Sequence, residues 1–333
     1  MTRPGCNVGA FVGALLMCVV LLAWGCGSDD EPSGRTAQAQ APAPAPTATA
    51  EPEGAAAATA SDPSLAPLAT ADRFDDTAAF ALLTEQVRRY GYRPAGSAAL
   101  RRLAVRLRAL MPRGRFESIP GHPRLRNVVG IVPGRRPAIV VGAHYDVEAA
   151  PEGFVGANDG AAGTAAVVTL ARAFAKAKRP KGARELRFVL FDGEEEPAGC
   201  EPFDKCGIRG SRAYAKRHAA EVSKLVLLDY IAEKRNMVIQ REASSDAGLW
   251  SRLRSAASAV GVGAVFPAQP FPGGVIDDHT PFVQRGIEAI DIIDFEYPQR
   301  DTLADNLDAV GRRSLDAVGE AVHLLVARLR RSG

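Results

Sequence analysis

The sequence lacks a clustered basic stripe. Its 41 lysines and arginines stand against 38 aspartates and glutamates, a net charge of +3 over 333 residues. That is close to neutral for the length, and nothing argues for nucleic acid. No internal repeat is present. No apolar run is long enough for a confident membrane span: Val8 to Leu22 is mostly apolar but short and interrupted by glycine. Cysteine is scarce, with five residues. Cys6 and Cys18 fall in the signal-like segment of residues 1–26 and Cys26 at its end, which leaves only Cys200 and Cys206 for the folded part. In an oxidising compartment such a pair can close a small loop. Zinc binding by these two is disfavoured, because no second ligand pair lies nearby.

What is present is a globular composition, 47% hydrophobic and 24% charged, long enough for one large domain or two ordinary ones plus tails. Arg3 and the apolar stretch that follows suit a signal peptide over residues 1–26. The stretch ends in LLAWGCGSDD, which resembles a bacterial lipoprotein signal with Cys26 as the lipidated residue. Ala23 stands where leucine is usual, and simple secretion is the alternative. Residues 27–71 are rich in Ala, Pro and Thr and cannot bury a core, so they read as a disordered spacer. Residues 72–333 are expected to fold. The expected location is outside the cytoplasm, at the cell surface, in the periplasm or secreted.

Within the folded part, helical patterns over Thr77–Tyr90 and Ala98–Leu110 come first. Then short Val/Ile-rich runs NVVGIV, AIVVGA, LRFVLF, KLVLLDYI and AIDIIDF alternate with helical stretches at Ala161–Ala177, Ser211–His218, Gly248–Ala259 and Ser314–Arg330. Near-continuous apolar strands between helices indicate an α/β fold with a mostly parallel sheet covered on both faces. In such sheets functional residues gather at the carboxyl ends of strands.

Polar residues stand where that rule looks for them. AIVVGA runs into His144, with Asp146 two residues on to hold an imidazole in one tautomer. GANDG places Asp159 at the start of a helical pattern, where it is either a metal ligand or an N-cap. LRFVLF delivers Asp192 and then Glu194, Glu195 and Glu196, which repel one another unless something cationic sits among them. Asp229 lies inside an apolar run and needs a partner or a metal. Asp277, Asp278 and His279 precede a short helical pattern. Each alone has a bland reading as a loop, cap or packing residue. One imidazole among carboxylates at four strand ends suits a catalytic zinc site.

Together NVVGIVPG, GAHYD, GANDGAAG, FDGEE, GSRAYA, LLDYI, DDHTPF and DFEYP resemble the bacterial zinc aminopeptidases and the related glutaminyl-peptide cyclotransferases. The resemblance implies one phosphorylase/hydrolase-like α/β domain with a central mixed, mostly parallel sheet flanked by helices. It implies His144 and Asp229 on one zinc, Glu195 on another and Asp159 bridging. Glu194 would be the general acid/base, acting on a metal-activated water or shuttling a proton in cyclisation. Asp146 would support His144, and Asp278 and His279 would line the pocket or orient a substrate carbonyl. Peptide or protein N-termini are the implied substrates.

One position departs from the family pattern. In Tyr297-Pro298-Gln299-Arg300-Asp301-Thr302 the last ligand is Asp301 where histidine is usual, and Arg300 replaces a frequent aromatic. A carboxylate there weakens the preference for zinc over manganese or another divalent ion. A working altered site, a single metal on His144, Asp159 and Asp229, and lost catalysis all remain open. The expected activity is that of an aminopeptidase-type metal-dependent exopeptidase. The alternatives are a glutaminyl-peptide cyclotransferase, and a non-catalytic surface binding protein on the same scaffold.

Overall fold

A six-stranded sheet in the order β1-β2-β4-β3-β5-β6 organises the chain. The computed structural model describes residues 62–331. The signal-like segment, the Cys26 lipobox and most of the Ala/Pro-rich spacer lie outside the described residues. Residues 62–71, read from sequence as spacer, pack onto the domain. Ala66 is buried, Asn236 N donates to Ser64 O at 2.6 Å and Thr70 N to Val260 O at 2.9 Å.

Two helices open the domain, α1 (Asp76–Glu85) and α2 (Ala98–Leu110). Their starts are capped by Asp75, which accepts from Ala78 N, and by Ser97, which accepts from Leu100 N; such caps satisfy an otherwise orphaned donor. Next come β1 (Arg115–Ile119), β2 (His122–Val132) and β3 (Arg135–His144), then α3 (Gly163–Lys176) and β4 (Arg184–Phe191). The short α4 (Phe203–Cys206) and α5 (Arg209–His218) lead to β5 (Val222–Asp229) and α6 (Ala247–Ala259). A single turn, α7 (Thr280–Val283), β6 (Glu288–Ile293) and the long α8 (Arg312–Arg331) complete the chain.

The strands β4, β3, β5 and β6 run parallel, while β1 and β2 form an antiparallel extension on the β4 side. The alternating, charged RFESI of β1 was not read as a strand from sequence; it is an edge strand and so has no continuous apolar run.

Side chains along each strand alternate between two cores. Val128, Ile139, Val141, Phe188, Leu190, Val226, Leu228 and Ile290 face α1, α2, α3, α6 and α8. Val129, Val140, Val189, Phe191, Leu225 and Leu227 face Tyr214 and Ala215 of α5 and Phe282 of α7. Each such buried side chain contributes roughly 1.5–3 kcal/mol. The closing helix approaches the entry segment so closely that a Cβ on Gly319 would stand 2.3 Å from the Phe74 ring. The next residue on α8, the buried Glu320, accepts from Phe74 N at 2.6 Å.

The crossover from β3 to β4 runs through α3 on one face. The return from β4 to β5 runs through α5 on the other. The connections therefore diverge on either side of β3 and open a crevice at its carboxyl end, where ligands bind in such sheets.

Candidate active site

His144 is the last residue of β3 and Asp229 the last of β5. β5 ends there because Tyr230 adopts φ 45°, outside strand geometry. Asp192-Gly193-Glu194-Glu195 follows β4 directly. Asp159 arrives differently. The turn Ala157–Ala162 before α3 is kinked, with Asp159 at φ −78°, ψ 107° and Gly160 at φ 78°. A Cβ on Gly160 would lie 2.6 Å from Asp146 O and 3.2 Å from His144 Cε1, so only glycine lets this turn close on the histidine. Ala162 is the residue that caps α3, so Asp159 is free of capping.

These residues converge. His144 Nε2 lies 3.1 Å from Asp159 Oδ1 and 3.3 Å from Asp229 Oδ1. His144, Asp159 and Glu195 offer donor atoms that all lie within 4.8 Å of one another, and all three are buried. Two donors on one ion with bonds of about 2.1 Å in tetrahedral geometry are about 3.4 Å apart. The observed separations match that spacing, and the donor set of one imidazole and several carboxylates is a zinc set. Glu194, Glu195 and Asp229 are at most 7% exposed. Burial pushes the carboxyls of Glu194 and Glu195 well above their ordinary range and raises that of Asp229. A cation among them offsets that cost, so the residues fit the metal.

Asp301 stands apart from this group. Its backbone is at φ 59°, its side chain is 47% exposed, and Arg300 Nε lies 3.4 Å from its Oδ2. It meets Asp159 only through the Tyr230 hydroxyl, which is 2.9 Å from Asp159 Oδ2 and 3.2 Å from Asp301 Oδ1. Asp146 acts on the imidazole, helping to raise the pKa of His144, and on the next loop as well. Its Oδ1 is 3.8 Å from His144 Nδ1, and its two oxygens also accept from Glu194 N and Glu195 N at 3.3 and 3.2 Å. Asp146 thus shapes the loop that carries both glutamates. Asp278 and His279 are wholly buried and absent from the pocket lining; from the same loop it is Asp277 that faces the pocket.

The pocket has a volume of about 240 Å³ and is walled by Val275, Ile276, Ile293 and Phe295, with Glu194, Glu195, Asp159 and Asp229 at its base. Arg300 lies over the Phe295 ring at 4.1 Å from its centroid. Glu148 also lines it, pushed up to about 7 by burial and then by Asp301, Asp159 and Glu196. Cys200 and Cys206 form a disulfide around the loop that carries Phe203, another lining residue.

The match of this chain to known proteins agrees with that geometry. Residues 127–326 match the model of peptidase family M28. The chain belongs to peptidase family M28. Members of this family are zinc-dependent enzymes. This M28 chain is 26% identical over 245 residues to a glutaminyl-peptide cyclotransferase of Gloydius blomhoffii, covering 62% of this chain and 66% of the relative, just under two thirds of its length. The solved structure of Porphyromonas gingivalis glutaminyl cyclase superposes with a TM-score of 0.68 at 26% identity, over 78% of this chain and all of that one. A leucine aminopeptidase precursor from Bacteroides thetaiotaomicron shares the fold, with a TM-score of 0.66 at 24% identity, over 78% of this chain and 99% of that one.

Three residues that build the M28 site went unread in the sequence. The buried Asp305 accepts from Asn158 N at 2.9 Å and Asp159 N at 3.0 Å, and so holds the kinked turn. Arg93, fully buried, donates to Tyr145 O, Val155 O and Gly156 O at 3.2, 2.5 and 3.1 Å. Burial lowers its guanidinium to about 10, with Asp159, Asp305, Asp146 and Glu195 pulling upward, so it stays charged at neutral pH. The third is Tyr230. Its position directly after Asp229 was the one available signal.

Proposed function

We propose that this M28 protein is a glutaminyl-peptide cyclotransferase, closing an N-terminal glutaminyl residue to pyroglutamate with loss of ammonia. The observation that carries the reading is Glu194, a buried carboxyl in a pocket about one residue in size. Cyclisation needs one group that first takes a proton and then returns it. The α-amine nitrogen forms a bond to the side-chain amide carbon, the bond from that carbon to the amide nitrogen breaks, and ammonia leaves. Glu194 would accept the proton from the amine and deliver it to the departing nitrogen. Burial raises its carboxyl well above the ordinary range, His144 opposes the rise, and Asp277, Asp278 and Asp146 add to it. Asp277, lifted to about 6 chiefly by burial, faces the same pocket and would receive the substrate amine.

His144, Asp159, Glu195 and Asp229 would hold zinc, which would supply Lewis acidity toward the attacked carbonyl. The apolar walls exclude water, and Asp146 and Asp305 fix the two loops that position Glu194 and Asp159. The likeness to cyclotransferases in sequence and to a glutaminyl cyclase in structure supports this reading over peptide hydrolysis. The Cys200–Cys206 disulfide supports export from the cytoplasm.

Aminopeptidase activity is the second reading. It is favoured by the closeness of His144, Asp159 and Asp229, which leaves Glu195 to hold a separate ion in a two-metal hydrolytic site. Ammonia release from glutaminyl peptides, set beside chromophore release from aminoacyl-p-nitroanilides, separates the two. Cyclisation is expected, abolished by chelation and lowered about 10²–10⁴-fold in Glu194→Gln. Turnover of the anilides alone would overturn the cyclotransferase reading. Turnover of neither substrate would leave a non-catalytic binding protein.

A further inference from the structure

A second buried polar cluster lies beneath the pocket floor. Asp277 comes from the loop before α7, His279 precedes its first turn, and Asp291 sits in the middle of β6. All three are at most 4% exposed, and Glu242, at 1%, approaches from the loop before α6. One donor atom from each of Asp277, His279 and Asp291 lies within 4.8 Å of the others.

The hydrogen bonds around His279 determine which ring nitrogen is bare. Ser244 Oγ is 2.6 Å from His279 Nε2 and 2.9 Å from Glu242 Oε2. The hydroxyl has one proton. Donated to the carboxylate, it leaves the hydroxyl oxygen to accept from Nε2–H, and Nδ1 then carries only a lone pair. A histidine held this way through its far nitrogen is the usual support of a metal-ligating imidazole. Burial also pushes His279 below its ordinary pKa, toward the neutral form that ligates.

Nδ1 faces Asp291 Oδ2 at 3.6 Å. That is too long for a hydrogen bond and close to the ~3.4 Å that separates two ligands of one tetrahedral ion. His279 Nδ1 has no hydrogen-bond partner, and the oxygens of Asp291 and Asp277 Oδ2 have none except where the two acids share a proton. The charged neighbours acting on Asp291 are Asp277, Asp229 and Glu242, all of its own sign. Unpartnered buried acceptors of like charge are expensive. Something positive belongs between them.

We propose that His279 Nδ1, Asp291 and Asp277 form a second cation site, taking one divalent ion of the zinc or manganese class and distinct from the centre at His144. The ion would tie β6 to the start of α7 and fix Asp277, whose carboxyl also lines the catalytic pocket. The site does not depend on which reaction that pocket performs.

Elemental analysis of the full chain, freed of loose metal by gel filtration, tests this. In Asp159→Asn, where the first centre is broken, about one equivalent of zinc or manganese is expected to remain, and adding His279→Gln is expected to remove it. Anomalous diffraction from crystals of the unsubstituted protein keeps the test decisive if the double variant fails to fold. A peak between His279 Nδ1 and Asp291 is expected at the metal edge. No peak there, together with no metal retained by Asp159→Asn, would overturn the proposal and leave the cluster held by shared protons.

Discussion

Replacing Asp305 by alanine separates stability from metal binding. The side chain accepts from Asn158 N, Asp159 N and the Tyr297 hydroxyl, the last at 2.9 Å. Its loss leaves two buried amides and a phenol without an acceptor, at about 1–3 kcal/mol each and roughly 5 kcal/mol together. An opposing effect works in the same variant. Burial, then the charge of Asp159, lifts the Asp305 carboxyl to about 6. At neutral pH the folded protein therefore carries a carboxylate at a cost of about 3 kcal/mol, which alanine removes. The net loss is about 2 kcal/mol, or roughly 4–8 °C in Tm for a domain of this size. Zinc affinity has no such offset. Asp159 loses the anchor of its own turn, and losing a support of this kind weakens metal binding about 10–100-fold. Chelator competition for zinc, run beside thermal melts, reads both effects. An Asp305→Ala protein that holds zinc as tightly as its parent would refute the assignment of Asp305 as the holder of this turn.

Asp301→Ala is expected to leave metal content unchanged, whereas Asp159→Ala removes the metal of the His144 centre alone; elemental analysis that shows the same loss in both would make Asp301 a ligand after all. His323 stacks on Phe174 with ring centroids 4.6 Å apart, and burial, then Arg73, lowers it to about 4. The unfolded chain therefore binds this proton first, and stability falls as pH drops from about 6.5 to 4. Partial exposure reduces the effect to about 1–2 kcal/mol, which His323→Phe should recover in urea titrations at pH 5 but not at pH 7.5. Removing the Cys200–Cys206 disulfide with two serines should cost about 2 kcal/mol by loop entropy, measured by the same titrations, and should raise KM through the Phe203 loop; an unchanged KM would separate that loop from substrate binding.

The sheet and much of the candidate site were legible because both are written locally. AIVVGA, LRFVLF and KLVLLDYI announce β3, β4 and β5, and His144, Glu194 and Asp229 stand at or just beyond their ends. The supporting residues act instead on backbone groups far along the chain. Asp305 holds amides 147 and 146 positions away, and Arg93 reaches carbonyls 52, 62 and 63 positions away. No periodicity encodes such a pairing. Asp277, Asp278 and His279 show another gap: three adjacent polar residues before a single turn of helix have no period to say which one faces the pocket. For Asp146 the residue beside His144 was visible, but its hydrogen bonds to two amides of a different loop were not.

Arg93 has a consequence for where this enzyme unit begins. It lies ahead of the 127–326 segment that matches the M28 family, together with α1 and α2. A chain trimmed to that segment would keep every metal-ligating side chain and every strand from β3 onward. It would lose the guanidinium that binds three carbonyls of the loops after β3, a fully buried cation on which Asp159, Asp305, Asp146 and Glu195 act. A fragment that keeps the loops after β3 anchored therefore has to reach back to an arginine whose partners there are backbone carbonyls.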